Sequence, residues 1–301
     1  VSPYGSILYA PAFAADIDVL VETDLPVADF ARELATIVDI AAAGSDVHLR
    51  GTLDGHTVEV AVSSRAAPDE RVLAGPRDGA ALLQHLRDHG RHAAFLALWP
   101  ELRRFIAARG LAGNGLGYIG SFGWALLLAI PLCHDTHLCR DPVSIRDWFA
   151  HAAVLLEPGA HVSFTAGAVP DTAPIWLAAP TPPSRNVARG ITAGTLAVLR
   201  EELRHAARST TLDDLAIAPP RGTTLYATGP AETRGIYEGK FRALLDTLES
   251  TLGPVVRPWG RFERSDTAWQ HGITVPDAAA GTARSLVEHH LRTLDARLSV
   301  T

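Results

Sequence analysis

Asp16 and Asp18 stand one residue apart in the run Asp16-Ile-Asp-Val-Leu-Val-Glu22, with Gly5-Ser6 upstream and Glu59 in a later strand-like run. At positions i and i+2 of a strand, two aspartates project from the same face, and a neighbouring strand can bring a third carboxylate beside them. Hard carboxylate oxygens suit Mg²⁺, or Mn²⁺, which needs few protein ligands and keeps several waters. Cations held this way support in-line attack of a hydroxyl on phosphorus: one activates the hydroxyl and another neutralises a triphosphate. A Gly-Ser turn opening a helix offers backbone N–H groups and a hydroxyl to the β- and γ-phosphates. Alternating acids can also merely line a wet strand face. The upstream Gly5-Ser6 and the third acid at Glu59 favour chemistry.

The elements that must position these groups follow from periodicity. Ile17, Val19 and Val21 share one face of the first strand, and Asp16, Asp18 and Leu20 the other. A helix is expected over about 26–43. Two strands, about 46–53 and 56–63, flank Asp54-Gly55, a hairpin signal, and Val58, Val60 and Val62 alternate with Thr57, Glu59 and Ala61. A small mixed sheet carrying acids on one face results. Helical periodicity then dominates, with helices expected over 80–89, 93–109, 120–132, 143–156 and 191–207. The prolines at 174, 180, 182 and 183 demand an extended loop, and Pro219-Pro220-Arg-Gly222 reads as a linker. Beyond it a strand at 223–228, a helix at 233–251, strands at 254–260 and 267–274 and a helix at 278–297 give β-α-β-β-α. That is a ferredoxin-like or RRM-like order short of its last strand.

The fold class expected is therefore α+β and multidomain. A small mixed-sheet catalytic domain spans 1–72, a helical central domain 73–218, and a ferredoxin/RRM-like domain 219–301. The length, 301 residues, agrees with several domains, and 47% hydrophobic residues exclude a disordered chain. No apolar run reaches membrane-spanning length, and no secretory leader is evident, so a cytoplasmic protein without membrane partners is expected. Two cysteines exclude a disulfide scaffold. The net charge of −6 argues against a strongly cationic nucleic-acid binder. Residues 1–72 carry a net −8 and residues 221–301 a net +1. One lysine among 27 basic residues fits a GC-rich bacterial source. The chain has no methionine, even at residue 1, so a trimmed start is expected, and the missing strand points to a trimmed end.

Gly5-Ser6, a short spacer, Asp16-Ile-Asp18 and a later strand carboxylate resemble the signature of the DNA-polymerase-β-type nucleotidyltransferases. Arg109-Gly110, Asn114, Gly117-Tyr-Ile-Gly120 and Trp124-Ala125 resemble the central-domain motif of eukaryotic-type poly(A) polymerases. Ala173-Pro-Ile175 with Pro180 to Asn186-Val187 is similar to that family's proline-rich segment, and Gly235-Ile-Tyr-Glu-Gly-Lys-Phe-Arg242 to the first helix of its RNA-binding domain. The resemblance covers the chain in the family's domain order. It implies a template-independent nucleotidyltransferase that adds nucleotides, AMP above all, from a nucleoside triphosphate to an RNA 3′ end. Asp16, Asp18 and Glu59 then hold Mg²⁺ or Mn²⁺, with one acid taking the hydroxyl's proton. Gly5, Ser6 and Arg103 hold the triphosphate, and Asn114, Gly120 and Ser121 line the nucleotide pocket. Arg257, Trp259, Arg261 and Arg264 form the one basic, aromatic cluster available for RNA.

The departures are specific. The family's base-stacking aromatic falls at Ala112, and the lost ring removes roughly 1–3 kcal/mol of stacking per base. Its triphosphate lysine falls at Arg103, which meets phosphate with another geometry. Glu59 stands where aspartate is usual, and the Gly-Ser to Asp spacing is about one residue short. Two other readings stay open: nucleotidylation of a small molecule or protein hydroxyl, and a catalytically weak RNA-binding relative, which the intact acids oppose. Among the remaining motifs, Gly115-x-Gly117-x-x-Gly120 follows a helix where a dinucleotide fingerprint must follow a strand. Cys133-His134-x-x-His137-x-Cys139 has no standard zinc spacing. His289-His290 reads as a solvated helix face, Trp124 as helix packing, and Trp259 and Trp269 as either stacking or cross-strand packing.

Overall fold

The computed structural model describes residues 2–4, 16–36, 39–43, 48–53, 56–66, 68, 70–135, 138, 143–164, 173–182, 184–209, 222–259, 263–265 and 267–301. The chain divides into two compact units, residues 1–100 with 179–184, and residues 101–178 with 185–301. The division falls at 100, where the sequence reading places boundaries at 72/73 and 218/219.

The first unit is built on a five-stranded mixed sheet. Its strands are β1 (Ser2–Tyr4), β2 (Asp16–Thr23), β3 (Asp39–Ala43), β4 (His48–Leu53) and β5 (His56–Ser64), in the order β1-β2-β5-β4-β3. β2 and β5 run parallel, and the other neighbours are antiparallel. One face packs Val21, Leu49, Val58, Val60 and Val62 with Ile17 and Val19 against Phe30, Ala31 and Leu34 of α1 (Val27–Leu34). On the other face Leu20 and Ala61 are buried with Val72 and Leu73 of α2 (Glu70–Asp88). The alternation read from sequence thus sorts the two faces. The helix expected over 26–43 stops at Leu34, and Asp39–Ala43 forms an edge strand on β4, with a register irregularity between Asp39 and Ala42. Pairing with β4 overrides the helical preference of the alanine run, as tertiary context commonly does. α3 (His92–Arg109) carries Pro100 within it and runs across the division.

The second unit holds α4 (Ser121–His134), α5 (Ile145–Leu155) and α6 (Ala193–Arg208) with the short parallel pair β6 (His161–Val162) and β7 (Trp176–Leu177). α4 is buried from Gly123 through Cys133, the mark of an interior helix that is apolar all round. α6 opens on a capping box between Thr192 and Thr195. The same unit contains β8 (Thr223–Pro230), α7 (Arg234–Leu252), β9 (Arg257–Pro258), β10 (Glu263–Arg264), β11 (Ala268–Val275), α8 (Ala280–Leu294) and β12 (Ser299–Val300). Their antiparallel sheet runs β10-β11-β8-β12, with β9 also on β11. Here the sequence reading is corrected: the last strand is present. β12 pairs Ser299 with Thr228 and Val300 with Ala227, and two residues are too few to show alternation in sequence. Tyr237, Phe241, Leu244, Leu245 and Leu248 of α7 and Val287 and Leu291 of α8 cover Leu225, Ala227, Trp269, Ile273 and Val275.

Candidate active site

In the first unit, the parallel register sets Asp16 beside Thr57 and Asp18 beside Glu59. Asp18 and Glu59 lie on the face of Leu20 and Ala61, one pleat earlier, and are half-buried where those two are buried. Strand alternation puts Asp16 on this face as well; its side chain lies outside the described residues. The row extends across four strands, because Tyr4 stands beside Asp18 and Arg50 beside Glu59. Arg50 Nε lies 3.3 Å from Glu59 Oε1. Sequence reasoning missed this arginine. The signal was there: the Leu53↔His56 closure of the hairpin counts back to Arg50 opposite Glu59.

Asp18 and Glu59 present carboxylate oxygens only, which is donor chemistry for Mg²⁺ or Mn²⁺ and poor chemistry for softer metals. Among the described residues no three His, Cys, Asp or Glu side chains converge as a metal site; Asp16, the third member, is not among those side chains. Gly5 and Ser6 lie outside the described residues.

The second unit places the nucleotide-pocket candidates on and around a loop between α3 and α4. A helix precedes this glycine-rich loop, as the rejection of a dinucleotide fingerprint requires. Asn114 opens a 3-10 turn, and its Oδ1 accepts the Gly120 N–H at 3.0 Å, closing the loop on the start of α4. Asn114 and Ser121 are exposed and Gly120 half-buried. Ala112 is half-buried and bridges Ile119. Gly117 has φ +86°, and a Cβ there would lie 2.6 Å from a Leu245 methyl, so glycine is required by conformation and by space. Tyr118 is fully buried, donates to the Pro258 carbonyl at 2.7 Å, and has its hydroxyl pKa pushed up by that burial. Trp124 Nε1 donates to the Leu111 carbonyl at 3.1 Å, which makes it core packing. Arg103 is exposed on α3.

Beneath the loop lies an ionic cluster. Arg109 binds Glu202 through Nε to Oε2 at 2.7 Å and a second nitrogen to Oε1 at 2.9 Å, and Arg257 donates to the same Oε1. Arg257 also donates to the Arg109 carbonyl at 3.3 Å. Burial raises the Glu202 pKa, but the Arg109 hydrogen bonds and the Arg257 charge outweigh it and hold the carboxyl below its ordinary value. This changes the reading of Arg257. Its side chain is 13% exposed and paired with Glu202, so its guanidinium is enclosed in the fold instead of standing on the open surface.

Trp269 likewise belongs to the core, stacked on Tyr237 at 4.7 Å with Nε1 donating to Thr233 Oγ1. Trp259 is half-buried and packs on Gly272, where a Cβ would lie 2.5 Å from the indole. Arg261 lies outside the described residues, and Arg264 is described through its β10 backbone, opposite Trp269. His271 bridges the module: Nε2–H donates to the Trp259 carbonyl at 2.5 Å and Nδ1 accepts from the Tyr237 hydroxyl at 2.9 Å. Burial pushes its pKa down to about 4. Cys133 is buried, and Asp135 pairs with His151 at 2.8 Å. His289 is exposed as expected, whereas His290 is half-buried.

No family model and no curated protein matches the chain. Among solved structures, Cid1 in complex with its short product ApU superposes with a TM-score of 0.51 at 16% identity, covering 69% of this chain and 81% of that one. A cytoplasmic RNA terminal U-transferase gives 0.46 at 17% identity over 73% and 85%. The likeness to Cid1 shows a shared α+β fold. No described helix is long and apolar enough to cross a membrane.

Proposed function

We propose that this chain is a template-independent nucleotidyltransferase that transfers a nucleotide from a nucleoside triphosphate to the 3′ hydroxyl of RNA and releases pyrophosphate. The observation that carries this reading is the side-by-side pairing of Asp18 and Glu59 on parallel strands, with Asp16 two residues before Asp18, in a fold shared with Cid1. Asp16, Asp18 and Glu59 would hold Mg²⁺ or Mn²⁺, which would supply charge neutralisation at the triphosphate and acidity at the attacking hydroxyl. Through a cation that they would hold, the carboxylates position the hydroxyl against the α-phosphate, and one of them takes the hydroxyl's proton as the new P–O bond forms and the bond to pyrophosphate breaks. Ser6 and Arg103 serve the triphosphate, while Asn114, Gly120 and Ser121 serve the nucleotide. Asn114 does so by shaping the loop, given its bond to Gly120.

The resemblance favours ATP, whereas the Cid1 complex contains the product ApU. Ala112 offers no ring for either base, so broad nucleotide use is expected. Incubation with RNA and each of the four nucleoside triphosphates tests the reading: extension of the 3′ end supports it, and no extension with any of them refutes it. The enclosure of Arg257 favours weighing a second acceptor class, a small-molecule or protein hydroxyl, because it removes one member of the anticipated RNA surface. Pyrophosphate release without RNA extension identifies that class.

A further inference from the structure

We propose that Arg50 is a built-in counter-ion of the carboxylate row, holding Glu59 when no divalent cation is bound and releasing it when one arrives. The inference rests on the reading of Asp18 and Glu59 as metal ligands. Arg50 and Glu59 are direct neighbours in the antiparallel β4–β5 pair, on the face that also carries Asp18. Opposed positions of this kind bring side chains within reach without rearrangement of the backbone. The ion pair closes at 3.3 Å with side-chain exposures of 62% for Arg50 and 40% for Glu59. Exposed pairs of this kind are weak, so a divalent cation can take the carboxylate from the guanidinium.

Charge and reach point the same way. Asp18 and Glu59 bring two carboxylates to one face of the sheet, and Asp16, two residues before Asp18 on the same strand, adds a third negative charge to this part of the chain. With Arg50 included the row carries a net −2, which one divalent cation balances. Three carboxylates with neither guanidinium nor metal would repel one another and any approaching triphosphate. Glutamate has one more methylene than aspartate, so the Glu59 carboxylate can swing between Arg50 across the strand pair and a cation shared with Asp18. Arg50 is thus a positioning residue acting through Glu59. Its charge opposes metal entry and keeps the site from being over-negative in the meantime.

The test is Mn²⁺ binding to the nucleotide-free full chain, followed through the paramagnetic resonance of free Mn²⁺. Arg50→Gln removes the competing charge and is expected to tighten Mn²⁺ binding about tenfold. Arg50→Lys keeps the charge and is expected to stay within about twofold of the parent. Asp18→Asn is expected to abolish the binding. If Asp18→Asn abolishes binding while Arg50→Gln leaves it unchanged or weaker, the inference fails and the metal reading stands. If the parent chain binds no Mn²⁺, or Asp18→Asn leaves binding intact, both fall. A melting curve for each variant confirms the fold, which an exposed side chain at 50 should not disturb.

Discussion

At Asp18 a carboxylate is carried on a strand whose core contacts come from its neighbours, Val19 and Val21 on one face and Leu20 on the other. Asp18→Ala is therefore expected to lower transfer by about 10²–10³-fold or more while shifting stability by less than about 1 kcal/mol. Steady-state turnover and a urea melt on the same preparation check both halves, and retained turnover would remove Asp18 from the chemistry. His271 makes the opposite case, a titratable group whose role is entirely in folding. Its folded pKa of about 4 lies below the ordinary histidine value of 6.5. The unfolded chain takes up the proton first, so stability is complete above about pH 6.5 and is lost as pH falls toward 4. Urea unfolding should show a loss of about 2 kcal/mol between about pH 7.5 and 5, and His271→Gln should remove most of that slope. The two residues also differ in how they read from sequence. Asp18 was legible because strand alternation alone assigns its face. His271 was not, since its partners Tyr237 and Trp259 come from other elements and no periodicity links them. Arg50 lies between these cases: the hairpin register encoded its position, but its pairing with Glu59 emerges only when residues are counted back from the turn.

At the scale of elements, three segments far apart in sequence meet on one carboxylate: the end of α3 at Arg109, α6 at Glu202 and β9 at Arg257. The loop that carries Asn114, Gly120 and Ser121 begins directly after Arg109, so this cluster fixes where the loop starts. Glu202→Gln preserves shape but removes the carboxylate charge that two largely enclosed guanidinium groups share. A cost of about 3–5 kcal/mol is expected, read as a lowered denaturation midpoint. A change under about 1 kcal/mol would mean that solvent or another acid reaches those arginines. In sequence Arg257 looks like surface charge, because it lies near other arginines and a tryptophan. Its burial follows from a partner 55 residues away, which local pattern cannot reveal. The same limit explains the elements themselves. The long periodic helices are legible in the sequence, whereas Asp39–Ala43 reads as helix and Ser299–Val300 carries no pattern, since both depend on a neighbouring strand to exist.

Across the whole molecule, charge is distributed so that the carboxylate-bearing part, net −8 over residues 1–72, repels polyanions, while residues 221–301 carry only +1. RNA held by such a chain should depend on divalent cations and on few direct phosphate contacts. Each contact with a single strand adds about 0.7 to the slope of log affinity against log salt. Arg257 tests whether the C-terminal module contributes through the cluster that its sequence advertises. Because its guanidinium is engaged by Glu202 and the Arg109 carbonyl, Arg257→Ala is expected to lower the denaturation midpoint and leave the salt slope of RNA binding unchanged. The binding must be measured well below that midpoint, so that a partly unfolded population does not imitate weaker affinity. A slope reduced by about 0.7 in the folded variant would return Arg257 to the phosphate surface and require that Glu202 release it on binding. An unchanged slope leaves phosphate recognition to the other arginines of the anticipated cluster and makes Arg264→Ala the substitution that should move it.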